Sequence, residues 1–195
     1  MELNVLKNNN NEIINGPLEI KPEVFYDERG YFYETWNAKD FEINIDSDNL
    51  FVQDNQSFSK KGTLRGLHYQ LDPMAQGKLV RVTKGEVFDV IVDIRKNSKT
   101  FLTWTSLLLN CHEKNQIWIP KGFAHGFLTL SDEAILEYKV TNFWNKELER
   151  TILWNDSQIS IKWPKANNNS PEPNISLKDS NGLTLKSLIR KGDVF

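Results

Sequence analysis

Between residues 50 and 165 the chain is a succession of short apolar runs cut by polar turns, and no stretch there keeps a capped helical repeat. Residues 87–94 (VFDVIVDI), 102–109 (LTWTSLLL) and 134–142 (AILEYKVTN) are rich in β-branched, aromatic and leucine side chains. Breaks such as KNSKT, PKG and LSDE separate these runs at fairly regular spacing, and Gly85 marks a turn just before residue 87. Many short strands at such spacing predict an all-β sandwich or barrel. Helical patterns are confined to the ends, as a turn at 38–41 and a short helix at 182–189.

The 195 residues, 39% of them hydrophobic, suffice for one core, so a single domain spanning 1–195 is expected. Residues 164–173, rich in Asn and Pro, read as a surface connection, because too little chain follows to build a second core. Residues 1–15, with an asparagine tract at 8–11, are expected to form a flexible, solvated extension. Basic and acidic residues number 24 and 26, so no global field attracts nucleic acid, and an anionic ligand must be met by a local cluster of Arg and Lys. The one cysteine, Cys111, has no internal disulfide partner, which fits a reducing compartment. No apolar run approaches the roughly 20 residues needed to cross a bilayer. The N-terminus lacks the charged start, apolar centre and cleavage site of a signal peptide, so a cytoplasmic location is expected.

Three histidines are present: His68, His112 and His125. His112, in NCHEKNQ, falls in a polar turn and reads as a solvated surface residue. His125 sits in WIPKGFAHGF, a Pro- and Gly-punctuated loop entering a strand. A lone strand histidine is most often structural, but His68 in TLRGLHYQ has Arg65 three residues before it and Gln70 two after. Alternation along a strand places His68 and Gln70 on one face. A barrel metal site usually uses two closely spaced histidines, a carboxylate and a distant third histidine, and Gln70 stands where the second would be needed. His68 is thereby left as a candidate base rather than a ligand. Arg29, Arg65, Lys78 and Lys178, with Tyr31, Phe32 and Tyr69 interleaved, suit a ligand that has a phosphate and a planar ring.

Taken together, VFYDERGYFYETW (24–36), FVQDNQSFSKKGTLRGLHYQ (51–70), AQGKLVRVTKGEVFDVIVDIRKNSKTF (75–101), IWIPKGFAHGFLTLSD (117–132), EYKVTNFW (137–144), ILWNDSQISIKWP (152–164) and ISLKDSNG (175–182) resemble the dTDP-4-dehydrorhamnose 3,5-epimerases. The resemblance runs over nearly the whole chain. It implies a cupin-like double-stranded β-helix, a jelly-roll barrel with short peripheral helices. It also implies conversion of dTDP-4-dehydro-6-deoxy-D-glucose to dTDP-4-dehydro-L-rhamnose with no cofactor or metal.

Carried over position by position, His68 matches the catalytic base and Asp179 the carboxylate paired with it. Tyr138 matches the acid that returns a proton from the opposite face of the sugar, and Lys78 the cation near the C4 oxygen. Arg29, Phe32, Glu34, Gln53, Asn55, Arg65, His125, Glu149 and Lys178 match positions of substrate contact. Arg29, Phe32 and Glu34 belong to a segment that the family donates across a dimer interface, so a homodimer with shared active sites is implied. Trp144 stands where the family commonly has another aromatic.

Alternatives within the same family are a mono-epimerase or a 3,4-ketoisomerase on a related dTDP-deoxysugar, and Tyr138 favours the double epimerase. A non-catalytic sugar-nucleotide binding module would leave His68, Asp179 and Tyr138 without a joint purpose. A metal-dependent cupin oxygenase would need a tightly held metal.

Overall fold

The computed structural model describes residues 1–47, 50–165 and 172–195. Its first half contains β1 (Glu2–Lys7), β2 (Ile13–Lys21), β3 (Phe25–Asp27), β4 (Gly30–Phe32), α1 (Ala38–Asn44), β5 (Gln53–Lys60), β6 (Thr63–Gln70) and β7 (Lys78–Lys84). The second half adds β8 (Glu86–Asp93), β9 (Trp104–Asn110), β10 (Gln116–Ile119), β11 (Phe123–Thr129), β12 (Glu133–Val140), β13 (Glu149–Thr151) and β14 (Asn174–Ile175). Two short helices follow, α2 (Leu177–Ser180) and α3 (Leu185–Lys191).

The strands form two sheets, one in the order β1-β2-β10-β7-β12-β5 and the other in the order β13-β6-β11-β8-β9, with β14 added beside β6. Val80, Val82, Ile117 and Leu136 of the first sheet meet Val87, Ile91, Leu109, Phe123 and Phe127 of the second in one buried core. The second sheet is also covered from outside. Leu67, Tyr69, Val90 and Val92 pack there against Ile152, Leu185 and Leu188. Burial on both faces explains the nearly unbroken apolar run of β8, in which alternate residues serve different cores. On the outer face of the first sheet, Phe41 of α1 packs on Leu79 and Trp118. The all-β, cupin-like barrel with peripheral helices is thus borne out. No helix among the described residues is long and apolar enough to cross a membrane.

The N-terminal expectation is corrected. Residues 1–15 are not a solvated extension: β1 pairs antiparallel with β2, which in turn pairs with β10, and Leu6 and Ile14 enter the main core. The asparagine tract makes the turn between β1 and β2. The Asn8 side-chain oxygen accepts from the backbone N–H groups of Asn10 and Glu12, and Asn11 takes a left-handed φ of 66°. Short polar side chains that bond their own backbone and tolerate positive φ are what such a turn requires. Pro164, Lys165, Glu172 and Pro173 are described, whereas the centre of the expected surface connection, 166–171, lies outside the described residues.

Candidate active site

The two sheets supply opposing walls of a pocket of about 110 Å³. From the second sheet come His68 and Gln70 of β6 and Glu149 of β13. From the first come Lys78 of β7, Tyr138 of β12, and Gln53 and Asn55 of β5. Alternation accounts for each choice: Lys78 shares its face with the core residues Val80 and Val82, and Tyr138 shares its face with Leu136. His68 and Gln70 line the same pocket, as their spacing predicted. Larger cavities exist elsewhere, such as one of about 430 Å³ beside Trp154 and Trp163. None of these proposed catalytic side chains lines that cavity, so chemistry rather than size selects the site.

His68 Nε2 lies 2.6 Å from Asp179 Oδ1, and the Gly66 backbone N–H donates to Asp179 Oδ2 at 3.2 Å. Asp179 is buried in the first turn of α2, whose start is capped by Ser176 accepting from the Asp179 N–H. Burial would raise the Asp179 carboxyl. The hydrogen bond and charge of His68, the Gly66 N–H and the charge of Lys178 outweigh it and hold the group below the ordinary carboxylate range. With Nε2 engaged by Asp179, Nδ1 is the ring nitrogen left to take a proton.

Gly66 makes this geometry possible. Its φ is +124°, and a Cβ there would come within 2.5 Å of Gly126 Cα and 2.9 Å of the His125 carbonyl oxygen. Backbone approach this close between β6 and β11 admits only glycine. The register also slips here: His68 pairs with His125 but Arg65 with Phe127, so β6 spends three steps where β11 spends two. The extra residue is a bulge, and it turns Arg65 to the same side of the sheet as His68. Arg65 then donates to Ser59 Oγ and to the Phe58 carbonyl oxygen, each at 3.0 Å.

Lys78 is 8% exposed, and its Nζ points to the His68 carbonyl oxygen at 3.5 Å. Burial pulls its ammonium down to about 8, although Glu149 and Asp89 favour the charge; Lys178 adds a smaller opposing push. The Tyr138 hydroxyl is pushed up by burial and by the charge of Glu149, against Arg65, so it is protonated at neutral pH. Glu149 pairs with Lys178 at 2.6 Å. Gln53 and Asn55 bond one another at 2.8 Å, and the Trp144 N–H donates to the Gln53 side chain at 3.2 Å. His125 faces the same side of the second sheet as His68, but its ring is buried against Asp89 at 2.8 Å.

Arg29, Phe32 and Glu34 are not brought to this pocket within the chain. Arg29 and Phe32 lie on or beside the β3–β4 hairpin, and Arg29 pairs with its neighbour Asp27. Glu34 and Phe32 line a separate cleft next to α1. His112 is exposed in a turn. Among the described residues no group of three or more His, Cys, Asp or Glu side chains is placed to hold a metal. The sequence reading missed the Gly66 N–H as a partner of Asp179, and Gln76 and Trp144 as pocket walls. Paired glycines in RGLH and AHGF were the available signal for the first.

The family model described as dTDP-4-dehydrorhamnose 3,5-epimerase matches residues 11–187. The chain belongs to that family. A Shigella flexneri dTDP-4-dehydrorhamnose 3,5-epimerase is 56% identical over 165 residues, which is 85% of this chain and 88% of that protein. The crystal structure of the Legionella pneumophila dTDP-6-deoxy-D-glucose-3,5-epimerase, in complex with dTDP-4-keto-L-rhamnose, superposes with a TM-score of 0.88 at 43% identity. The match covers 99% of this chain and 97% of that one. A 3′-monoepimerase from Streptomyces bikiniensis, in complex with dTDP-quinovose, is also similar, at 29% identity and a TM-score of 0.86, covering 93% of this chain and 89% of that one. The barrel is therefore common to single and double epimerases. This epimerase-family chain is an isomerase acting in dTDP-rhamnose metabolism.

Proposed function

We propose that the epimerase inverts C3 and C5 of dTDP-4-dehydro-6-deoxy-D-glucose with His68 as the carbon base. Both hydrogens flank the C4 ketone, so removing either leaves a pair of electrons that spreads onto the C4 oxygen. His68 Nδ1 takes the proton while Asp179 holds Nε2 and stabilises the imidazolium that results. Lys78 stands by the enolate oxygen as a preorganised cation, which is the contribution that makes so weak a carbon acid reactive. Tyr138 delivers a proton to the other face of the ring and is recharged from solvent. One wall of the barrel thus removes what the opposing wall returns, and epimerisation needs no net redox change.

Support comes above all from the 2.6 Å His68–Asp179 pair facing Lys78 and Tyr138 across one pocket. At about 110 Å³ the pocket suits a sugar ring rather than a whole nucleotide sugar. The dTDP portion then lies at the mouth, with Arg65, Gln53, Asn55, Glu149 and Lys178 as the chain's own substrate contacts, while His125, its ring buried against Asp89, contributes from behind His68. Arg29, Phe32 and Glu34 serve the site of a second copy in a homodimer. Exposure of Phe25, Tyr26, Tyr31 and Phe32 at 55–69% is the observation that favours it. The cytoplasmic setting belongs to the same proposal.

The test is turnover of the dTDP-keto sugar, coupled to a reductase that consumes the product. His68→Ala is expected to lower kcat by about 10²–10⁴-fold. Unchanged product formation would remove His68 from the mechanism.

A further inference from the structure

A second carboxylate–histidine pair lies beside the first. Asp89 is at 0% exposure in the middle of β8, between the core residues Val87 and Ile91. Its Oδ2 meets His125 Nε2 at 2.8 Å, whereas its Oδ1 is buried with no hydrogen-bond partner among the described residues. An under-satisfied carboxylate in an apolar core is costly, and an apolar side chain of similar size would pack there without that cost. Stability therefore does not account for it.

Its placement does. His125 is the cross-strand partner of His68, and the close approach of Gly66 to Gly126 fixes the two strands against each other at this point. Directly paired residues share a face and stand about 5 Å apart. Lys78 reaches the same spot from the opposing sheet, with its Nζ toward the His68 carbonyl oxygen.

We propose that Asp89 is a positioning residue for the reaction: it fixes the His125 ring behind His68 and supplies the negative charge that offsets the buried ammonium of Lys78. This rests on the assignment of Lys78 as the cation at the enolate oxygen. Among the described residues, His68 and Tyr69 on β6, Tyr138 on β12 and Glu149 on β13 line the pocket with that ammonium, Asp89 on β8 and Lys178 on α2 act on it through their charge, and His125 on β11 is held by Asp89. Among them Asp89 and Glu149 favour the charged lysine, and Glu149 is already paired with Lys178.

The experiment is the pH dependence of kcat/KM for the wild type, Asp89→Asn, Asp89→Leu and Lys78→Met, each checked for folding by circular dichroism and thermal melting. Asparagine keeps an acceptor for His125 and nearly the same volume but removes the charge. Wild-type kcat/KM is expected to fall as pH rises through about 8, where Lys78 loses its proton. In Asp89→Asn that fall begins at lower pH, so the deficit is about tenfold greater at alkaline than at mildly acidic pH when the limb moves by one unit. Asp89→Leu is expected to fold at least as stably as the wild type and to show the same displaced limb. If both variants keep the wild-type limb, or lose activity equally at every pH, the inference fails while the role of Lys78 stands. If Lys78→Met retains wild-type activity, the assignment of Lys78 itself is what fails.

Discussion

Replacing Asp179 by asparagine tests the catalytic pair with almost no change in shape. The carboxylate has two oxygens and accepts from two donors, His68 Nε2 and the Gly66 N–H. An asparagine has one oxygen, so it satisfies one of them only. If that oxygen stays with Gly66, the amide NH₂ faces His68 Nε2 and forces the imidazole proton onto Nδ1, the nitrogen that must accept a proton from carbon. The same tautomer error in a Ser–His–Asp hydrolase costs about 10⁴ in kcat, and a loss of that order is expected here. Asp179 is 5% exposed at its side chain, and losing a hydrogen bond to its buried carboxylate is expected to cost about 1.5–3 kcal/mol. For a chain of this size, Tm falls by about 2–4 °C per kcal/mol. The sign with pH is also fixed. The folded carboxyl sits below its ordinary 3.8, so its stabilisation is present above that value and is lost as pH falls through the folded one. The stability gap between wild type and variant therefore closes on acidification. Steady-state kinetics with melting curves at several pH values measure all three quantities. A kcat within tenfold of wild type would refute the tautomer argument.

Tyr138→Phe leaves the base intact, so exchange of a substrate carbon hydrogen with solvent should persist while inversion slows by about 10²–10⁴-fold, followed by NMR; loss of both together would assign Tyr138 another task. Gly66→Ala places a methyl 2.5 Å from Gly126 Cα at a φ of +124°, and overpacking with backbone strain is expected to cost about 2–6 kcal/mol in thermal unfolding. A cost below about 0.5 kcal/mol, the scale of ordinary surface changes, would contradict the close approach. Deleting residues 1–15 removes Leu6 and Ile14 from the core, each worth about 1.5–3 kcal/mol, so the urea midpoint should drop sharply. An unchanged midpoint would return that segment to the status of a solvated tail.

Much of the barrel is legible in the sequence because strand chemistry is local. The apolar runs at 87–94, 102–109 and 134–142 correspond to β8, β9 and β12, and the two terminal helical patterns to α1 and α3. The N-terminal strands were not legible. An asparagine tract resembles a solvated tail until it is seen as the turn of the β1–β2 hairpin, and what ties that hairpin to the barrel is the pairing of β2 with β10, about a hundred residues away. Alternation correctly placed Gln70 beside His68, but it would have put Arg65 on the opposite face. Only the bulge at Gly66, visible as a register shift against β11, turns Arg65 inward. The Asp179–His68 contact spans 111 residues, which no spacing argument reaches; family likeness supplied it. Asp89 is one of two carboxylates in VFDVIVDI, and the run alone does not tell that both faces of its strand are buried.

Solvent deuterium incorporation is the most direct measurement. The dTDP-keto sugar is turned over in D₂O, and label at C3 and C5 of the product is followed by NMR. Proton removal by His68 and return from a solvent-exchanged Tyr138 at both carbons predicts deuterium at C3 and C5, with both signals lost in His68→Ala. Deuterium at a single carbon, or at both carbons in His68→Ala at the wild-type rate, would contradict it.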